Sequence, residues 1–124
     1  MSFLQTLSLI LIAILSNTSA SLLLKKGASS LVFAKLEFGP ILSTFIQAAL
    51  NPFIILGITF FASSFLLWVV VASKVEISYA APFMSLTYVL IAILSKIFFG
   101  ENVTSARILG IFIIILGVYF VSRS

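Results

Sequence analysis

VEISYAAPFMSLTYVLIAILSKIFFGE, residues 75–101, carries an apolar run from Ile77 to Phe99 in which Lys96, near its end, is the only charge. A helix of that length crosses a bilayer. Ala81, Ser85, Tyr88, Ala92 and Ser95 recur at steps of four and three, so they share one face of that helix. Small and hydroxyl-bearing residues on one stripe face protein or a water-filled cavity more cheaply than they face lipid. The stripe therefore either packs helices together or lines a path. Pro82 sits about one turn into the run, where it can kink the helix and free the carbonyl four residues back.

The rest of the chain agrees with a membrane setting. Of 124 residues, 62% are hydrophobic and 8% charged, and the mean hydropathy is +1.34. Soluble domains run at about 45–50% apolar and about 25% charged, so the composition describes an all-α integral membrane protein. Cysteine and histidine are absent. Disulfides, thiolate or ordinary zinc sites, catalytic triads and histidine acid–base chemistry thus have no candidates. No glycine-rich phosphate loop appears. No enzymatic activity, metal or cofactor is expected. The net charge of +4 sits at the ends of apolar runs, which reads as membrane topology rather than nucleic-acid binding.

Upstream of the quoted stretch, Asn51-Pro52 reads as an N-cap followed by proline at the first helical position. Residues 53–72 then form a second span holding Gly57, Ser63, Ser64 and Trp68, and Ser73–Glu76 is a tight loop. Downstream, Gly100–Ser105 is a turn whose Thr104 or Ser105 can cap a span over 106–121. At the start of the chain, 3–24 is an apolar run closed by Lys25 and Lys26. A secretory leader cut at Thr18-Ser19-Ala20 is the alternative there. It lacks a basic residue before the apolar core, and the run resumes after the supposed site. The better reading is a span with a polar notch, in which Thr6, Ala13, Asn17 and Ala20 share a face with Ser21 beside them. Gly27–Gly39 is a loop ending in a Gly39-Pro40 breaker. Residues 41–50 carry an amphipathic pattern, either a short interfacial helix or an extension of the next span. The expectation is a single domain, 1–124: a four-transmembrane-helix bundle of up-down type.

The three acids, Glu37, Glu76 and Glu101, all lie at loops or helix ends. A proton-coupled pump usually needs an ionisable group at membrane depth, and none is present. Asn17, Ser21, Ser64, Ser85 and Tyr88 are the polar, uncharged candidates for an interior site. An unpaired amide in hydrocarbon costs roughly 2–7 kcal/mol, so Asn17 needs a partner, in a neighbouring helix or in a substrate. Trp68 belongs either to the interfacial belt or to an aromatic pocket wall. Lys25, Lys26, Lys74, Lys96 and Arg107 gather at helix ends. That arrangement suits an amphiphile whose anionic head is caught by lysines while its tail stays in lipid.

The order LLWVVVASKVEISYAAPFMSLTYV, then FFGENVTSARILGIFIIILGVYFVS, resembles the drug/metabolite transporter superfamily over nearly the whole chain. Within it the chain resembles the four-helix small multidrug resistance proteins and the related aminoarabinose–undecaprenyl phosphate flippase subunits. The exporters' first-helix glutamate falls near Asn17, so the resemblance does not carry proton-coupled drug export over. Pro82-Phe83-Met84-Ser85-Leu86-Thr87-Tyr88-Val89 is similar to the Pro-x-x-Ser-Leu-x-aromatic-Val run of the flippase subunits. Gly110 and Gly117 resemble the exporters' fourth-helix dimer seam.

The resemblance and the residues together lead to the expectation of a flippase for a polyprenyl-phosphate-linked sugar or similar amphiphile, in the bacterial inner membrane. Its substrate residues are Asn17, Ser21, Lys25, Lys26, Ser64, Trp68, Pro82, Ser85, Tyr88 and Lys96. The alternatives are an exporter of small organic cations and a membrane subunit that only assembles with a partner. Membrane lipids surround the protein. A single four-helix repeat needs a second chain, itself or a similar small subunit, to build a path with two openings. Gly110 and Gly117, seven apart, let two fourth helices approach closely. Lys25, Lys26, Lys35, Lys96 and Arg107 fall at one side, against Lys74 and Arg123, which places both termini outside the cytoplasm.

Overall fold

The computed structural model describes residues 2–29 and 38–124, so Lys35 and Glu37 lie outside the described residues. Among the described residues six helices follow in order: α1 (Phe3–Ala28), α2 (Phe38–Leu50), α3 (Pro52–Lys74), α4 (Ile77–Met84), α5 (Leu86–Phe99) and α6 (Ser105–Ser122). Four segments among the described residues are long and apolar enough to cross a membrane: α1, α3, α4 with α5, and α6. Each of α1, α3 and α6 starts on a local signal. Ser2 and Gln5 form a capping box before α1. The Asn51 side chain accepts from the amides of Phe53 and Ile54, with Pro52 at the first position of α3. The Thr104 hydroxyl accepts from the Arg107 amide at 3.2 Å.

The third span is broken as its proline implies. Pro82 has no N–H to offer the Ser78 carbonyl. Beyond it the ladder tightens into i to i+3 bonds, Ser85 to Pro82 and Tyr88 to Ser85, each 3.0 Å. The Ser85 hydroxyl also donates to the Pro82 carbonyl. At the far end Gly100, at φ +66°, closes α5 in the left-handed conformation that favours glycine.

The expected breaker Gly39-Pro40 instead lies inside the first turn of α2. Proline is tolerated there because the first amides of a helix have no intrahelical acceptor. The amphipathic pattern of 41–50 does form a helix, three residues longer than its periodicity suggested. Leu42, Phe45, Ile46 and Leu50 are exposed on it, as suits a helix in contact with lipid.

Helices α1 and α3 form the tightest pair, through small residues seven apart on each. Ala13, Ala20 and Gly27 on α1, with Gly57, Ser64 and Val71 on α3, are all buried. A Cβ added at Gly57 would stand 3.1 Å from the Leu24 side chain and 3.2 Å from the Ala20 carbonyl oxygen. Ser64 donates its hydroxyl to the Ala13 carbonyl at 3.0 Å, and Asn51 donates its amide to the Gly27 carbonyl at 3.3 Å. Helices in lipid gain nothing from hydrophobic exclusion, so close backbone approach and interhelical hydrogen bonds are what hold this pair.

The main apolar cluster joins Ile10 and Ile14 of α1, Val71 of α3, Ala80 and Phe83 of α4, and Val118 of α6. It therefore sits at the end of the bundle where α3 turns into α4. At the opposite end Lys25 Nζ stands 3.6 Å from Glu101 Oε1, so the end of α1 and the α5–α6 turn meet on the same side.

Candidate functional site

A sizeable cavity opens at that second end, between α1, α3 and the end of α5. It measures about 710 Å³. Its described walls are Ser19, Leu22, Leu23, Lys26 and Ser29 of α1 with its cap, Phe60 of α3, and Phe98 and Phe99 of α5. The α1 residues recur at steps of three, one, three and three, which is a single helical stripe. Ser19 lies seven residues below Lys26, or about 10 Å at 1.5 Å per residue. The groove is thus greasy along its length, with a cation and hydroxyls on one wall. Lys26 also places its ammonium 4.6 Å from the centre of the Phe53 ring, an attraction that holds the charge against α3.

The expected site residues divide into groups. Lys26 lines the groove. Lys25 stands next to it in sequence but reaches Glu101 instead, and both side chains are about half exposed. Asn17 and Ser21 are half-buried and stand two residues away from Ser19 on either side, about 200° round α1 from the groove stripe. Ser21 donates to the Asn17 carbonyl at 3.1 Å. Ser64 is buried in the α1–α3 seam, where its hydroxyl is engaged by Ala13. Trp68 packs on the apolar cluster at the other end. Pro82 and Ser85 form the helix break, and Tyr88 beyond it is exposed, at 66%. Lys96 lines a separate cleft between α5 and α6. A Cβ at Gly110 or Gly117 would meet nothing within 4 Å, so their face of α6 is open.

Phe60, Phe98, Phe99 and Ser19 escape a reading by residue type. Thirteen phenylalanines in an apolar chain give no individual signal. The stripe Ser19–Leu22–Leu23–Lys26–Ser29 does carry a signal, because it runs through the lysine that stands out. Thr87 escapes as well. It is 3% exposed and its hydroxyl has no partner among the described residues. It lies one turn after Phe83, just past the break.

Four apolar spans, with a groove bordered by aromatic rings and a lysine, describe a multi-pass integral membrane protein. The chain belongs to the EamA-like transporter family, which it matches over residues 1–123. Among curated proteins it is similar to a Proteus mirabilis (strain HI4320) chain named "Probable 4-amino-4-deoxy-L-arabinose-phosphoundecaprenol flippase subunit ArnF". Identity is 30% over 110 residues, covering 86% of this chain and 83% of that one. A chain named as subunit ArnE of such a flippase, from Aeromonas salmonicida (strain A449), is 32% identical over 71 residues, covering 57% of this chain and 62% of that one. The ArnE of Hamiltonella defensa subsp. Acyrthosiphon pisum (strain 5AT) is 32% identical over 68 residues, covering 55% and 61%. The match therefore spans less than two thirds of the ArnE chains and most of the ArnF chain. No solved structure matches the chain.

Proposed function

We propose that this protein is one subunit of a flippase that moves a lipid-linked sugar of the polyprenyl-phosphate type, with the α1–α3–α5 groove as its substrate path. The observation that carries the reading is Lys26 on the wall of an otherwise apolar groove of about 710 Å³. A phosphate head meets the ammonium while the polyprenyl tail lies along Leu22, Leu23 and the phenylalanines. Ser19 and Ser29, on the same wall, offer hydroxyls to a sugar. Lys25, tied to Glu101, keeps the α5–α6 turn against α1 and so closes one end of the path. The names of the relatives, which describe an aminoarabinose-phosphoundecaprenol flippase, support this substrate class. The spans hold no carboxylate, which disfavours proton-coupled export of organic cations. The function is movement of a substrate rather than its chemical conversion, in a bacterial inner membrane.

A second chain completes the path. The open face of α6 carrying Gly110 and Gly117 is the contact we assign to it, whether the partner is a second copy or a similar small subunit. Van der Waals packing over the glycines would drive that association.

The test is reconstitution in proteoliposomes, alone and with a candidate partner subunit. A fluorescent polyprenyl-phosphate sugar is compared with a quaternary ammonium dye. The lipid-linked sugar should be moved and the dye should not. Lys26→Gln should slow the sugar by about tenfold or more, as expected for loss of a charge-assisted hydrogen bond. Movement of the dye instead, or undiminished sugar transport in folded Lys26→Gln protein, would overturn the reading.

A further inference from the structure

Helix α5 has a second cleft on its other side. It measures about 300 Å³ and lies between α5 and α6, with Ala92, Ile93 and Lys96 on one wall and Ile108, Ile111 and Phe112 on the other. The two helices are antiparallel across the Gly100–Thr104 turn, so the cleft runs from that turn toward the middle of the bilayer. Lys96 stands near its outer end and Ala92 one turn deeper. The walls are apolar apart from the ammonium.

That ammonium has no carboxylate partner among the described residues. Glu101 is engaged by Lys25, and Glu76 precedes α4 at the opposite end of the third span. Arg107, in the first turn of α6, adds a second cation at the same end, with its guanidinium donating to the Asn102 carbonyl at 2.8 Å. A cation beside hydrocarbon draws an anion from whatever solvent surrounds it, and here that solvent is the lipid headgroup layer.

We infer that the α5–α6 cleft binds one anionic phospholipid of the surrounding bilayer, its phosphate at Lys96 and an acyl chain between the helices. A partner helix is the wrong size for this space. It needs about 10 Å of width with its side chains, while the cleft is at the small end of ligand pockets. The cleft is also distinct from the pairing face. Gly110 lies about 160° round α6 from Ile108 and Phe112 and about 100° from Ile111, so the glycine face and the cleft wall point in different directions. It is equally distinct from the transport groove, which takes Phe98 and Phe99 rather than Ala92, Ile93 and Lys96 from α5. A lipid held here fills the gap between two helices that the chain itself leaves loosely joined.

The experiment is native mass spectrometry of the detergent-purified protein with an equal mixture of phosphatidylglycerol and phosphatidylcholine. Phosphatidylglycerol should be retained about fivefold better, the factor one basic side chain contributes at an anionic surface. Lys96→Gln should bring the ratio close to one, and Lys96→Arg should restore it. Ala92→Leu keeps the charge but fills the cleft, and should lower phosphatidylglycerol retention as well. Lys74→Gln, at the end of α3 and outside both clefts, should leave the preference in place, which ties the preference to this site rather than to basic charge in general. An unchanged preference in Lys96→Gln, its loss in Lys74→Gln, or displacement of the lipid by millimolar inorganic phosphate would each overturn the inference.

Discussion

The α1–α3 pair and α6 carry the same sequence pattern and meet opposite fates. Both place small residues seven apart on one face of a spanning helix: Ala13, Ala20 and Gly27 with Gly57 and Ser64 in the pair, Gly110 and Gly117 in α6. In the pair every one of these is covered, and a side chain added at Gly57 would press on Leu24 and on the Ala20 backbone. In α6 the two glycines look outward, with nothing within 4 Å of an added Cβ. Only 6% of the apolar window of α6 is buried, against 28% for α1. A small-residue stripe in a membrane helix therefore states that a backbone can come close. It does not state whether that backbone belongs to the same chain.

The largest expected effect breaks the covered side of this comparison. Gly57→Leu puts a branched side chain where backbone and Leu24 already stand, and overpacking of this kind costs typically about 1–3 kcal/mol or more. Thermal or denaturant unfolding in mild detergent should show a clear loss of stability and reduced yield. Wild-type stability in that variant would mean that α1 and α3 are not packed as described.

Gly110→Leu with Gly117→Leu tests the open side. The isolated chain should keep the unfolding midpoint of the native protein, since a Cβ added at either glycine has nothing within 4 Å. Pairing and transport should fall together, read by cross-linking in vesicles and by the proteoliposome assay. Loss of the monomer fold would show that these glycines serve the chain's own packing. Retained pairing would remove α6 from the interface.

Ser64→Ala is the smallest and sharpens the comparison most finely. It removes the bond to the Ala13 carbonyl while preserving the small side chain. Interhelical bonds of this type average about 0.6 kcal/mol and reach about 1.7, so a modest drop in stability with intact transport is expected. Transport lost at unchanged stability would return Ser64 to the substrate path, where its residue type alone would put it.

Much of the fold is legible along the chain. Four apolar runs separated by charges give four spanning segments, and Asn51-Pro52, Thr104 and Gly100 start or end their helices as local chemistry requires. The Gly39-Pro40 pair misleads because a proline stops a helix in its interior and is harmless in the first turn. The candidate site is harder to read. Asn17, Ser64, Tyr88 and Lys26 are all polar residues in or beside apolar runs, and residue type does not distinguish them. In the structure Ser64 joins a helix seam, Tyr88 faces outward at 66% exposure, and Lys26 lines a groove.

The sequence by itself determined that the chain is helical, that it lives in a membrane, that its spans hold no carboxylate, and which family it belongs to. These rest on local hydropathy, caps and residue identity, which need no knowledge of neighbours. The tertiary structure alone decided that Lys25 faces Glu101 while Lys26 faces the groove, and that one α5 helix separates two clefts. It also decided which heptad of small residues is covered and which stays open. The physical reason is that helices in lipid associate through shape and a few hydrogen bonds rather than through hydrophobic burial. Apolar periodicity, the strongest sequence signal for a core in water, therefore says little in a membrane about which face meets which.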